Sequence, residues 1–361
     1  MKNTYCVIMA GGVGSRFWPS STSTKPKQFL DILGTGETLI QQTFRRLTNI
    51  CPEDHIYVIT NEQYADITQD QLPNIPNENI ILEPARRNTA PCIAYASFKI
   101  KKKDPLANMV ISPADHLITD EKEFGRILNV ALEATRDNNI LCTLGIKPHR
   151  PETGYGYIQY KDPEKDIHPE VQQVKTFTEK PNLEMAEQFI ESGDFLWNSG
   201  IFIWNANTIM NSFDKHLPDI YQSFEQGWDV LNTSGEKEFI DHIYPSCENE
   251  SVDYGILEKA KNVYVIPSSF GWSDLGSWGS VHEQSKLDDH GNSVNTKKVL
   301  FYNSRNNIVR IDPGKLGVIS GLEDYIIIQD DTRLLICPRS EEQAIKQMVN
   351  DVKVDFGDQY T

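Results

Sequence analysis

The stretch Thr4-Tyr5-Cys6-Val7-Ile8-Met9-Ala10-Gly11-Gly12-Val13-Gly14-Ser15-Arg16 decides the fold. Tyr5 to Ala10 is an unbroken apolar run, far shorter than a membrane span or a secretory core, and glycines follow it at once. It reads as a buried strand running into a tight turn. Such a turn lets backbone N–H groups approach phosphate oxygens, because no Cβ stands in the way, although the same glycines would serve a purely structural bend. The dinucleotide motif G-x-G-x-x-G needs glycine where Phe17 stands. The loop GxxxxGK[ST] needs lysine and a hydroxyl residue after its last glycine, whereas Arg16 is followed by Phe17-Trp18. Arg16 and Lys27 on one loop nonetheless favour a phosphate ligand over a bare bend.

Outward from this stretch, apolar β-rich runs at 4–10, 55–60, 80–83, 109–112 and 140–146 alternate with amphipathic segments. Leu39, Ile40, Phe44 and Leu47 share one helical face, and Phe124, Ile127, Leu128, Ala131 and Leu132 share another. Apolar strands alternating with helices predict an α/β fold, a doubly wound, mostly parallel (Rossmann-like) sheet with ligands at the carboxyl ends of its strands. Strands at 155–160, 174–178 and 200–204 predict a mixed extension of that sheet. Beyond residue 289, short strands at 298–302, 307–311, 317–320, 325–329 and 334–336 precede a helix at 341–352, a small β domain of solenoid type. The expected domains are 1–289 and 290–361.

Of 361 residues, 39% are hydrophobic and 24% charged, which is enough for a sizeable core, and the formal net charge is −16. So acidic a chain is a poor match for nucleic acid or an anionic membrane surface. The acid is unevenly spread. Up to Leu30 there are only cations, Lys2, Arg16, Lys25 and Lys27, and between Glu83 and Asp104 again only Arg86, Arg87, Lys99 and Lys101 to Lys103. These basic stretches are where an anionic ligand is expected. The six cysteines form no CxxC and fall in apolar segments, so reduced buried thiols in a cytoplasmic protein are expected.

A series of motifs resembles the sugar-1-phosphate nucleotidyltransferases, in the form of the mannose-1-phosphate guanylyltransferases. Gly11-Gly12-Val13-Gly14-Ser15-Arg16 with Pro26-Lys27-Gln28-Phe29-Leu30 is similar to that family's GGxGxR and PKQFL boxes. In the family's order follow Glu83-Pro84-Ala85-Arg86-Arg87-Asn88-Thr89-Ala90-Pro91, Ser112-Pro113-Ala114-Asp115-His116 and Thr153-Gly154-Tyr155-Gly156. Phe177-Thr178-Glu179-Lys180-Pro181, Trp197-Asn198-Ser199-Gly200 and Gly271-Trp272-Ser273-Asp274-Leu275-Gly276 complete the set. The resemblance covers residues 1 to about 290.

Read by themselves, these residues have ordinary explanations too. Asp115 at a strand end suits a turn or cap, Glu179-Lys180 a charged strand end before Pro181, and Asn198 a turn before the apolar run at 201–204. Gly154 and Gly156 suit a hairpin, and Asn88 or Thr89 a helix cap. Lys101 to Lys103 suit a solvated helix end, and His116 a structural role. The resemblance implies more. Gly11, Gly12, Gly14, Arg16 and Lys27 would hold a triphosphate; Glu83, Arg87, Asn88 and Thr89 would meet base and ribose. Gly154, Tyr155, Gly156, Glu179, Lys180 and Asn198 would meet the sugar phosphate. Asp115 and Asp274 would bind Mg²⁺ or another divalent cation, a hard ion suited to carboxylates and phosphates, with Asp115 also beside the nucleotide.

The implied reaction is GTP plus mannose 1-phosphate to GDP-mannose and pyrophosphate, by in-line attack of the sugar phosphate on the α-phosphorus. Arg16, Lys27, Asp115, Lys180 and Asp274 would be its catalytic set. A pyrophosphorylase for another nucleotide and hexose, or a catalytically silent sensor of nucleotide sugars, are the rivals. Two departures stand out. The family's WPLSR is Trp18-Pro19-Ser20-Ser21-Thr22 here, which removes a loop cation for which Lys25 is the candidate substitute. The residues after 290 are too few for the isomerase domain of bifunctional relatives, so no isomerase activity is expected. The resemblance also implies a homodimer and a short left-handed β-helix at the C-terminal end.

Overall fold

The computed structural model describes residues 2–161, 167–312 and 314–361. Its main sheet has nine strands: β1 (Thr4–Met9), β2 (Ile56–Asn61), β3 (Ile80–Glu83), β4 (Asn108–Pro113), β5 (Leu141–Ile146), β6 (Gly156–Tyr160), β7 (Gln172–Glu179), β8 (Phe195–Asn205) and β9 (Val263–Ser268). They lie in the order β3-β2-β1-β4-β8-β5-β9-β7-β6. The half from β3 to β4 is parallel, as expected of strands whose residues are apolar on both faces. β8 enters antiparallel between β4 and β5, so the sheet as a whole is mixed.

Packing explains why these runs become strands. Cys6, Val7 and Ile8 of β1 and Met109, Val110 and Ile111 of β4 are fully buried. The helix Thr89–Lys103 carries apolar or small residues on every face and is correspondingly buried from Ala90 to Ile100. No helix among the described residues is long and apolar enough to cross a membrane. All six cysteines are buried and unpaired, in line with the expectation for thiols.

The chain does not divide at a single point near 289. It forms two interleaved compact units: 1–11 with 44–114 and 118–272, and 12–43 with 115–117 and 273–361. The first unit contains the nine-stranded sheet. In the second, Ser293–Val294, Ile308–Ile311 and Tyr325–Gln329 pair in parallel and Leu334–Pro338 closes the sheet antiparallel, while Val299–Tyr302 pairs with Gly317–Ser320. Its core joins Ile308, Ile326, Ile328, Leu335 and Ile345 to Phe17, Trp18, Ile32, Leu39 and Trp278. The closing α-helix, Ile345–Phe356, begins and ends later than the expected 341–352, and a 3-10 segment Arg339–Ala344 leads into it.

Candidate active site

Parallel pairing sets the geometry. Met9 and Pro113 are register partners at the carboxyl ends of β1 and β4, and the Ala114 amide donates to the Met9 carbonyl at 2.9 Å. The Gly-rich loop and Asp115 therefore leave from neighbouring strand ends, where α/β sheets bind ligands.

In the second unit a cavity of about 320 Å³ is lined by Gly14, Ser15, Arg16, Phe17, Lys27, Asp115, His116, Asp274, Gly276 and Lys346. Lys27 is its organiser. Only 3% exposed, it places its ammonium 2.9 Å from Asp115 Oδ2 and donates to the Asp274 and Leu275 carbonyls at 2.7 and 3.0 Å. All three N–H donors are thus taken by protein acceptors. Gly14 makes room: at φ 67° it sits in the left-handed region, and a Cβ there would stand 2.5 Å from Lys27 Cβ. Burial opposes charge on Asp115, but Lys27 and His116 outweigh it and hold the carboxyl below its ordinary range. Asp274 Oδ1 accepts from the Gly276 amide at 3.0 Å. Arg16 is exposed, with Nη1 3.5 Å from the Gly276 carbonyl. Gly12 borders open space on its Cβ side, as a backbone available to a ligand would. Lys25, the candidate substitute cation, is exposed and does not line this cavity; Lys346 does.

In the first unit, the proposed hexose residues converge. Glu179 and Lys180 pair at 2.7 Å. Lys180 holds φ 48°, which costs a non-glycine residue roughly 1–3 kcal/mol and marks over-determined geometry; its amide is fixed on the Tyr155 carbonyl at 3.1 Å. Burial pulls its ammonium down, but Glu179 and Asp253 hold it above the ordinary lysine range. Gly156 leaves room for the Glu179 carboxylate: a Cβ there would lie 2.3 Å from Oε2 and would displace it. The Gly154 amide meets Glu152 Oε1 at 3.2 Å, and the Tyr155 ring packs edge-on against Trp197 and Trp272.

Asn198 lies inside β8, not in a turn before it. Gly200 at φ 71° and a register shift in the pairing with β5 form a bulge there. The amide is fixed at both ends: Oδ1 accepts from Thr143 Oγ1 and the Gly200 amide, and Nδ2 donates to Asp253 Oδ1 at 2.9 Å. Asp253 carried no motif signal. Burial and then the Glu179 carboxylate push it up to about 7. Glu258 accepts from the Glu179 amide at 2.8 Å, and the Tyr254 hydroxyl donates to the Glu179 carbonyl at 3.2 Å.

The proposed base and ribose residues are less uniform. Glu83 is buried and hydrogen-bonded to the Tyr244 hydroxyl, with Oε2 3.2 Å from where a Cβ on Gly11 would stand; burial pushes its carboxyl up to about 7. Arg87 Nε donates to the Pro245 carbonyl at 3.0 Å, Asn88 caps the helix that follows, and Thr89 Oγ1 accepts from the Val252 amide. The lysines of this basic stretch do not share the site. Lys99 pairs with buried Glu236, Lys102 donates to the Asp229 and Leu231 carbonyls, and Lys103 lies over the Tyr57 ring. They occupy the far end of a helix about 22 Å long.

A family model, Nucleotidyl transferase, matches residues 5–290. The chain is 37% identical over 359 residues to the mannose-1-phosphate guanylyltransferase of Escherichia coli K12, covering 97% of this chain and 74% of that one. It is 35% identical over 349 residues to the alginate biosynthesis protein AlgA of Pseudomonas aeruginosa, covering 96% and 71%. The solved structure of a mannose-1-phosphate geranyltransferase from Thermus thermophilus matches with a TM-score of 0.86 at 28% identity, covering 98% of this chain and 100% of that one. The chain belongs to the nucleotidyl transferase family and, along nearly its whole length, is similar to mannose-1-phosphate guanylyltransferases.

Proposed function

We propose that the chain transfers GMP from GTP to mannose 1-phosphate, releasing pyrophosphate. The observation that carries this reading is the ionised Asp115, held by Lys27 in one cavity with Asp274 and Arg16, in a chain with guanylyltransferase relatives. The sugar phosphate is ionised at neutral pH and needs no general base, so the protein's task is positioning and charge stabilisation. Gly12 and Arg16 offer donors to the triphosphate. Lys27 acts through Asp115 and the Asp274 loop rather than by direct contact. Lys180 offers its charge to the sugar phosphate, and Glu179 and Asn198 offer hydrogen bonds to hexose hydroxyls.

The donor set suits a divalent cation. Two carboxylates line the cavity, and the described residues hold no cluster of three or more acidic, His or Cys ligands. That pattern matches Mg²⁺, which keeps waters and shares phosphate oxygens. Asp115 and Asp274 would hold the ion, whose chemistry there is Lewis-acid polarisation of a phosphate.

The test is pyrophosphate release across four nucleoside triphosphates and several hexose 1-phosphates. Release with GTP and mannose 1-phosphate is expected; no release with any pair would sink the reading. Asp115→Asn and the volume-conserving Lys27→Met are each expected to lower kcat by about a hundredfold or more with the fold intact. Wild-type-like turnover by either variant removes the role assigned to it. The parallel pairings after residue 292 support a short β-helix of the left-handed kind that the resemblance implies. The exposed apolar ladder Leu300, Tyr302 and Val318 supports a homodimer through that face. A cytoplasmic location fits the buried thiols.

A further inference from the structure

The helix Ile345–Phe356 looks like a terminal appendage until its packing is followed. Ile345, Met348, Val349 and Val352 form one apolar stripe at helical spacing, and that stripe packs into the core containing Phe17 and Trp18. Those two residues belong to the loop that begins with the glycines. The segment beyond the helix grips the same loop: Trp18 Nε1 donates to the Tyr360 carbonyl at 2.7 Å, and Ser23 Oγ to the Thr361 carbonyl at 2.8 Å. The helix is therefore seated on the phosphate loop, in the same compact unit.

Seating the stripe leaves Lys346, one position after Ile345, on the wall of the cavity that holds Arg16, Lys27, Asp115 and Asp274. Lys346 is exposed, and no hydrogen bond or ion pair to another described residue occupies its ammonium. Lys27, by contrast, has spent all three donors on protein. Before any divalent ion is bound, Arg16 and Lys27 balance Asp115 and Asp274, so Lys346 supplies the excess positive side-chain charge that this cavity offers a polyphosphate. We propose that Lys346 is a binding residue for the polyphosphate chain, engaging GTP in the forward reaction and pyrophosphate in the reverse. This rests on the guanylyl-transfer reading above. It also supplies a cation where the expected loop cation is missing.

The test is steady-state kinetics in both directions. Lys346→Ala should raise the KM for GTP and for pyrophosphate about tenfold, and Lys346→Glu about a hundredfold, the scale of one charge-assisted hydrogen bond and its reversal. Lys346→Arg should restore most of the loss. The KM for mannose 1-phosphate should stay within about twofold, and the thermal midpoint within about 2 °C, because the side chain is exposed. Lys353→Ala, on the same helix and paired with Asp358, is the control for surface charge. Unchanged KM for GTP in both Lys346→Ala and Lys346→Glu overturns the proposal. So does an equal rise in the KM for mannose 1-phosphate, or a loss of binding that tracks a falling midpoint. If the wild type releases no pyrophosphate, the guanylyl-transfer reading falls, and calorimetric titration with inorganic pyrophosphate decides Lys346 separately. Weaker binding by Lys346→Ala than by wild type supports it; equal binding, or none by wild type, overturns it.

Discussion

Asp253 is the residue at which protonation and binding meet. Its carboxyl is pushed up to about 7, facing Glu179 at the end of β7 and Lys180 just after it, Asn198 from β8, and Tyr254 and Glu258 from its own segment. Below that pH it is neutral, and the local charge beside Lys180 is less negative. Above it, a second carboxylate appears where the anionic sugar phosphate is proposed to dock. The sign is therefore a KM for mannose 1-phosphate that climbs as pH rises through about 7. Asp253→Asn keeps an acceptor for the Asn198 amide and removes the charge, so its KM should rise less over the same range. Asp253→Ala leaves the Asn198 N–H without its partner and should raise that KM about tenfold at every pH. Parallel pH profiles for wild type and Asp253→Asn would count against this account.

Among the elements, the helix Thr89–Lys103 shows what its basic residues are for. Glu236 takes Lys99 Nζ at 2.7 Å and the Tyr95 hydroxyl at 2.6 Å, which ties the helix to the segment around residue 236. A buried pair gives little net stability against an apolar replacement, yet breaking one side is costly. Lys99→Met alone should lower stability by about 3–5 kcal/mol in urea unfolding, and Lys99→Met with Glu236→Gln should recover part of it, because the neutral amide removes the unpaired charge and still accepts from Tyr95. Equal losses in the single and double variants would refute that. The strands Ile80–Glu83, Gly317–Ser320 and Tyr325–Gln329 were legible to the residue, because short apolar runs bounded by turn residues report directly on pairing. β8 was legible only from Gly200 onward. Its first half carries Asn198, Ser199 and a left-handed Gly200, and polar residues at a bulge look like a turn in sequence. Lys27 and Asp115 were legible through motifs. Asp253 and Lys346 were not, since their positions follow from which surfaces pack together, and no local spacing encodes that.

At the scale of the molecule, neither compact unit is a continuous piece of chain. The strands after residue 290 complete their core with Phe17, Trp18, Ile32 and Leu39. A fragment 290–361 should therefore lack a cooperative thermal transition, measured by circular dichroism; a sharp reversible transition would show that those strands suffice on their own. The chain passes from one unit to the other between residues 11 and 12, 43 and 44, 114 and 115, 117 and 118, and 272 and 273. Three of these passages fall beside Gly11, Asp115 and Asp274. This bears on heredity. A single recombination point anywhere between residues 12 and 272 gives a daughter chain in which at least one unit mixes parental sequences. Neither unit can therefore be exchanged whole by a single crossover, so a recombinant must also keep the packing inside a mixed unit compatible.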